Sequence, residues 1–220
     1  MLICAEVLLV ATRADGRPFT DKSRLDLALA GAVLCELAAC GRIAVKDGRL
    51  VVLDARPGGD PLLDHALAIF APKAGKKPAR VLPAVAKGQT DRTYDRLVAD
   101  GAVRREKGGF LQPPRHPVLD VAGRARLVDA GGRVLAGTAQ PDLHTGSLVA
   151  LLAAADVITR VYDSRQFGVS GRELKKRAKA VGERDWAAGA AAAAIRSAQE
   201  AASAAMVAVT AATTVTVIGS

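Results

Sequence analysis

The chain has 220 residues, enough for one domain with its own core. Half of them are hydrophobic but only 3% are aromatic, so that core has to come from Ala, Val and Leu on closely packed helices. A net charge of +9, from 31 Lys plus Arg against 22 Asp plus Glu, favours polyanionic partners, and three cysteines without C-x-x-C spacing argue against a disulfide framework or a zinc site and for a reducing cytoplasm.

The opening "MLICAEVLLVATRADG" is apolar but broken by Glu6 and has no basic start, so it fits neither a signal peptide nor a membrane span. It predicts a short buried helix over 2–12, closed by the turn signal "RADGRPF". "KSRLDLALAGAVLCELAAC" places Leu25, Leu29, Ala32, Val33, Glu36 and Leu37 on mostly 3-4 spacing, a helix over 22–40 with Ser23 as N-cap and Gly41 as its end. Being apolar on nearly every face it reads as a buried spine, in which Glu36 needs a partner such as Arg42. "RIAVKDGRLVVLD" alternates around Asp47-Gly48, a strong hairpin signal.

"PGGDPLLDHALAIF" starts the next helix, with Asp60 as N-cap and Pro61 in its first position. "APKAGKKPARVLPAVAKGQ", rich in Pro, Gly and Lys, predicts a mobile basic loop, and "TDRTYDRLVADGAV" a helix from Thr90 to Gly101. "VRREKGGFLQPP" repeats the hairpin theme with Gly108 and Gly109 at the tip and Phe110 and Leu111 on the return arm, before Pro113, Pro114 and Pro117. Helices follow over 118–135, in "DLHTGSLVALLAAADVITRVY", and in the basic amphipathic "SGRELKKRAKAVGERDW", where Leu174, Ala178 and Val181 face inward. From Ala187 the chain is Ala-rich and then Thr and Val; its charge-free end is long enough to span a bilayer but too poor in insertion energy, and reads as a packed or frayed last helix. The expected architecture is mainly α, a compact helical domain over 1–200 with two or more exposed β-hairpins, followed by a tail over 201–220.

Chemistry is sparsely signalled. His65, His116 and His144 stand in no metal-binding or nucleophile pattern, Cys35 and Cys40 lie five apart on one helix, and "PGGDP" lacks the Lys of a phosphate loop. No catalytic residue, metal or cofactor is expected. The basic residues carry more: Lys73, Lys76, Lys77, Arg80 and Lys87 in or beside the loop, Arg92 and Arg96 on the helix behind it, and Arg104, Arg105 and Lys107 at the second hairpin. A flexible polybasic loop suits an anionic membrane surface, each basic residue being worth about 1 kcal/mol there. Phe110 and Leu111 can serve as an apolar anchor, a core strand or a self-association edge. Helix followed by hairpin also occurs in winged DNA readers, yet the helix before the first hairpin has no face of Arg, Lys, Asn or Gln to read bases, and aromatics for stacking on single strands are missing.

The ordered set "LALAGAVLCELAACGRIAV", "DARPGGDPLLDHAL", "RLVADGAVRREKGGFL" with a following "HP", and "SLVALLAAADVI" resembles the Golgi phosphoprotein 3 and yeast vacuolar sorting protein 74 family, over roughly residues 2 to 200. Its bacterial members are common in GC-rich genomes, which suits the Ala, Arg, Gly and Val bias here. The resemblance implies a mostly helical fold with exposed hairpins and a non-enzymatic peripheral adaptor that binds phosphatidylinositol 4-phosphate and holds client tails. The family's pocket uses a Trp near the start of the first core helix and an Arg before its Gly, positions taken here by Asp21 and Ala30. Of the basic pair ahead of the third helix, Lys87 is kept and Thr90 stands at the other, with Arg92 nearby as a substitute. The function expected is a cytoplasmic protein peripheral to the inner membrane face. It binds anionic lipid through Lys76, Lys77, Lys87, Arg92 and Arg96, and contacts membrane or a second copy through the 104–114 hairpin with Gly108, Gly109, Phe110 and Leu111. A protein client is a further expected partner. The alternative is a regulatory interaction module with winged-helix-like nucleic-acid binding.

Overall fold

All eight residues of helix α1, Ile3–Val10, are buried, Glu6 included. The computed structural model describes residues 1–108 and 113–183. Around α1 pack α2 (Lys22–Ala39), α5 (Gln89–Ala99), α6 (Val121–Ala136) and α7 (Leu143–Ala154). A helix apolar all round belongs inside, and α1 and α2 are the two whose sequences read that way. The ends of so short a buried helix need partners from elsewhere. Glu36 on α2 accepts the Ile3 amide at 2.8 Å, and the Arg124 guanidinium on α6 donates to the carbonyls of Leu9, Val10 and Thr12, each at 3.2 Å. The expected partner of Glu36, Arg42, is engaged elsewhere: it donates to the Asp54 carbonyl at 3.1 Å, because the hairpin folds back over it.

Asp21 caps α2, accepting the Arg24 amide at 3.0 Å; the sequence reading put the cap at Ser23, which instead lies inside the first turn. Strands β1 (Ile43–Lys46) and β2 (Arg49–Val52) pair antiparallel through a two-residue turn in which Asp47 and Gly48 take φ of 49° and 68°. Those left-handed angles are what an Asp-Gly hairpin turn supplies. Helix α3 (Pro61–Phe70) begins where expected, with Asp60 accepting the amides of Leu62 and Leu63.

The stretch expected to be a mobile loop is ordered as a 3-10 turn, Ala71–Lys73, and a helix α4, Pro78–Ala86. Two prolines made it read as loop. Pro78, however, occupies the first helical position, where no amide is needed, and Pro83 sits on the exposed side while Val81, Leu82, Val85 and Ala86 bury against α2 and its neighbours.

Among the described residues the domain has one two-stranded hairpin, not two or more. From 103 to 118 the chain doubles back, but only the isolated bridges Val103 to Val118 and Glu106 to Arg115 form, since Pro113, Pro114 and Pro117 cannot donate to a ladder. Gly109, Phe110 and Leu111 lie outside the described residues, as does everything after 183, including the C-terminal tail. The single helix expected over 142–162 is broken at Asp156, φ 58°, into α7 and α8 (Ile158–Val161). Helix α9, Gly171–Glu183, closes the fold on α7, with Leu174, Ala178 and Val181 inward as their spacing predicts. No helix among the described residues is long and apolar enough to cross a membrane.

Candidate functional site

The basic residues separate into three environments. The first is built where β2 meets the segment before α4. Gly75, at φ 79°, turns the chain so that its amide donates to the Leu50 carbonyl at 2.8 Å and the Leu50 amide donates to the Lys76 carbonyl at 2.9 Å. The segment thus lies along β2 almost as a third strand. Arg49 points outward while its neighbour Leu50 is buried, and its Nη1 donates to the Gly75 carbonyl at 2.8 Å. Here a cleft of about 310 Å³ opens, lined by Arg49, Lys73, Gly75, Lys76, Lys77 and Arg80. No acidic residue lines it, and none of its five cations is in an ion pair among the described residues.

The second environment, between α3 and α5, contains Arg92 and Arg96 together with Pro61, Leu62 and Asp95 around a cleft of about 290 Å³. Its charges are already used. Arg92 donates to the carbonyls of Val85 and Lys87 and to Gln89 Oε1, closing the C-terminal end of α4. Arg96 holds Asp60 at 2.5 Å and Asp100 at 3.0 Å, and Asp95 pairs with Arg105. Burial raises the Asp60 pKa, but the hydrogen bonds from Arg96 and from the Leu63 and Leu62 amides outweigh it and the net shift is downward.

The third environment is the region to which the resemblance assigns the family's pocket. Asp21 caps α2, Ala30 is wholly buried, the Thr90 amide donates to Asp26 Oδ1 at 2.6 Å, and Lys22 pairs with Asp91 at 2.6 Å. Lys87 is exposed at the end of α4. Three carboxylates surround this place, which makes it poorer in positive charge than the β2 cleft.

Of the residues picked from sequence, then, Lys76 and Lys77 share one cleft, Arg92 and Arg96 share another, Lys87 stands apart from both linings, and Gly108 is exposed on the 103–118 segment. Arg49 was missed. Its only sequence signal was a polar residue alternating with Leu50, which places it on the outer face of the strand but does not connect it to residues 73–80.

Two of the three histidines serve the fold. His144 Nδ1 meets both Glu6 carboxylate oxygens at 3.0 and 2.9 Å, and the His116 ring stacks on Tyr94 with centroids 3.7 Å apart. Burial pushes the Cys4 thiol up to about 12 and the Cys35 thiol higher still, so neither is a thiolate nucleophile. Among the described residues no three His, Cys, Asp or Glu side chains converge as for a metal ion.

The sequence pattern of Golgi phosphoprotein 3 (GPP34) matches residues 3–198, nearly the whole chain. The protein belongs to the GPP34 family. The family is non-enzymatic and is known for peripheral Golgi proteins that bind phosphatidylinositol 4-phosphate. No curated protein matches the chain. Within the matched residues lie the buried helices α1 and α2 and, among the described residues, one hairpin between α2 and α3.

Proposed function

We propose that this GPP34 protein is a bacterial, cytoplasmic member of its family that associates peripherally with anionic phospholipid surfaces and acts there as a non-enzymatic adaptor. The observation that carries the reading is the set of five unpaired cations lining one cleft, Arg49, Lys73, Lys76, Lys77 and Arg80. At about 1 kcal/mol for each basic residue near anionic headgroups, they supply roughly 5 kcal/mol, a reversible attachment with a Kd of order 10⁻⁴ M. Residues 104–114, with Phe110 and Leu111, are proposed as its second contact, to the bilayer or to another copy. A DNA-reading role fits poorly, because α2, the helix before the hairpin, is buried from Ala28 to Ala38 apart from the half-buried Glu36, and its exposed first turn holds Lys22 and Arg24 in ion pairs with Asp91 and Asp21.

Co-sedimentation with vesicles of phosphatidylcholine and phosphatidylglycerol, over a salt series, tests the proposal. Binding at low salt that fades as the Debye length shrinks from about 10 Å at 0.1 M towards 3 Å at 1 M is the expected result. Absence of binding at low salt overturns it, and salt-sensitive binding to duplex DNA without binding to vesicles gives the nucleic-acid alternative the stronger position.

A further inference from the structure

The β2 cleft is more specific than a basic surface needs to be. A surface that merely attracts anionic lipid requires positive charges in water, and their mutual placement is immaterial. Here the charges come from three separate pieces of chain, β2, the 73–77 turn and α4, and are fixed to one another by main-chain hydrogen bonds between Leu50 and residues 75 and 76 and by the Arg49 bond to the Gly75 carbonyl. Arg49 spends one donor on that bond and keeps the rest of its planar fork for an acceptor.

The local electrostatics also work against the ligand-free protein. Arg80 is in the first turn of α4, where the positive end of a helix dipole disfavours a cation. The first turns of α3, α5 and α9 each contain an acidic residue, Asp64, Asp91 and Glu173, whereas that of α4 contains none and its N-cap, Lys77, makes no side-chain hydrogen bond. Several arginines elsewhere pair with neighbouring carboxylates, as Arg56 does with Asp54, Arg96 with Asp60 and Arg165 with Asp163. The five cleft cations repel one another and have no carboxylate partner among the described residues, so an anionic ligand would supply the counter-charge that solvent ions now supply.

From this arrangement we infer that the cleft formed by Arg49, Lys73, Lys76, Lys77 and Arg80 is a binding site for a ligand bearing at least two phosphate groups, presented either on a lipid headgroup or as a free polyphosphate. The valence follows from charge. A single phosphate monoester brings about −1.5 to −2 at neutral pH, to one place in the cleft, and leaves about three of the five cations uncompensated; two phosphates bring about −3 to −4 as monoesters, and even as diesters, at about −1 each, they offer two separate acceptor groups to the two arginines. The two arginines of the lining come from different elements, one from β2 and one from α4, and suit bidentate contacts to separate phosphates, while the lysines act as point charges. This inference rests on the membrane reading only for its lipid source. None of Asp21, Ala30, Lys87 and Thr90 lines this cleft.

The test uses the full chain and two probes. Calorimetric titration with inorganic pyrophosphate, and separately with inorganic phosphate, measures the site without any membrane. Pyrophosphate is expected to bind at least about tenfold more tightly than phosphate, and Arg49→Gln with Arg80→Gln to weaken it by about tenfold or more, as loss of two charge-assisted contacts requires. Lys176→Gln with Lys179→Gln, which removes the same charge from the exposed side of α9, is expected to leave it within about twofold. Arg80→Glu guards against a trivial loss through misfolding: an acid in the first turn of α4 suits the helix, so its melting temperature is expected to match or exceed that of the unmodified chain while pyrophosphate binding disappears. Equal binding of the two probes, or equal weakening by the cleft and α9 variants, overturns the site.

Vesicles of phosphatidylcholine mixed to equal total charge with cardiolipin, which has two phosphates, or with phosphatidylglycerol, which has one, distinguish the sources. A cardiolipin preference that pyrophosphate competes away assigns the site to lipid. Pyrophosphate binding with no vesicle binding at all removes the membrane reading and leaves the cleft as a site for a soluble polyphosphate.

Discussion

Asp60 shows how much one residue does in this fold. One carboxylate oxygen accepts the amides of Leu62 and Leu63 at the start of α3, and the other takes Arg96 from α5, so a single side chain both starts a helix and ties it to its neighbour. Asp60→Ala is expected to lower stability by about 2 kcal/mol in urea unfolding, the upper part of the range for an N-cap, and Asp60→Asn by only about half that, because the amide oxygen still caps. Equal losses in the two variants would mean that the cap is not what matters. His116 ties stability to pH. Burial, and after it the charge of Arg105, hold its pKa below the ordinary 6.5, with Asp91 and Asp95 pulling the other way. Above 6.5 the ring is neutral folded or unfolded; as pH falls through 6.5 the unfolded chain takes up a proton that the folded one refuses, so stability declines down to the folded pKa. The urea midpoint is therefore expected to drop as pH falls through about 6.5, and His116→Phe to flatten that slope. His65, whose pKa is also lowered by burial and by Arg92, adds a decline in the same direction, so the slope does not vanish entirely.

At the scale of elements, α6 contains two glycines in its interior, Gly131 and Gly132, and is not weakened into a loop there. The reason is Tyr162, just after α8: its hydroxyl lies 2.3 Å from where a Cβ on Gly131 would be, with the next atoms at 3.4 Å. That hydroxyl is buried and has no hydrogen-bond partner among the described residues. Gly131→Ala is expected to cost about 1 to 3 kcal/mol through overpacking, Tyr162→Phe close to nothing, and the double variant to recover most of the loss, since the phenyl ring clears the new methyl. A thermal-denaturation double-mutant cycle with no such recovery would place the constraint on Gly131 elsewhere. The same scale shows what was legible in the sequence. Helices α1 and α2 and the Asp47-Gly48 hairpin could be read directly, because an apolar surface on every side and a left-handed turn are local signals. Helix α4 could not: Pro78 and Pro83 are local signals for a loop, and only the packing of Val81, Leu82 and Val85 against other helices overrides them. The candidate site was half visible for a related reason. Lys76, Lys77 and Arg80 are close in sequence, but Arg49 joins them only through the pairing of β2 with Gly75 and Lys76, a contact between chain segments that no spacing encodes. Arg92 and Arg96 looked free in the sequence because key partners, the Val85 carbonyl for Arg92 and the Asp60 carboxylate for Arg96, come from other elements.

At the scale of the whole molecule, the domain is assembled around α1, and α1 cannot exist without the rest. Eight residues are too few for a stable isolated helix, and polar groups at both ends of this one are satisfied from outside: its first amide by Glu36, its Glu6 by His144, its Leu9 and Val10 carbonyls by Arg124. These partners come from α2, α7 and α6, so the hub couples elements far apart in the sequence and ties the stability of each to all the others. Arg124→Met is the sharpest probe, because it keeps the side chain's apolar length while withdrawing donors from three carbonyls at once. Relief of the burial that depresses the guanidinium's pKa offsets part of the cost, leaving an expected net loss of about 2 to 3 kcal/mol. If α1 is the hub, the whole of that loss appears in global unfolding: helical signal and tertiary signal shift together in denaturant, and the amides of Val7 to Val10 exchange hydrogen with the same reduced free energy as those of α2 and α7. Faster exchange confined to the end of α1, with the global midpoint unchanged, would instead mean that this helix frays alone and that the core is organised around α2.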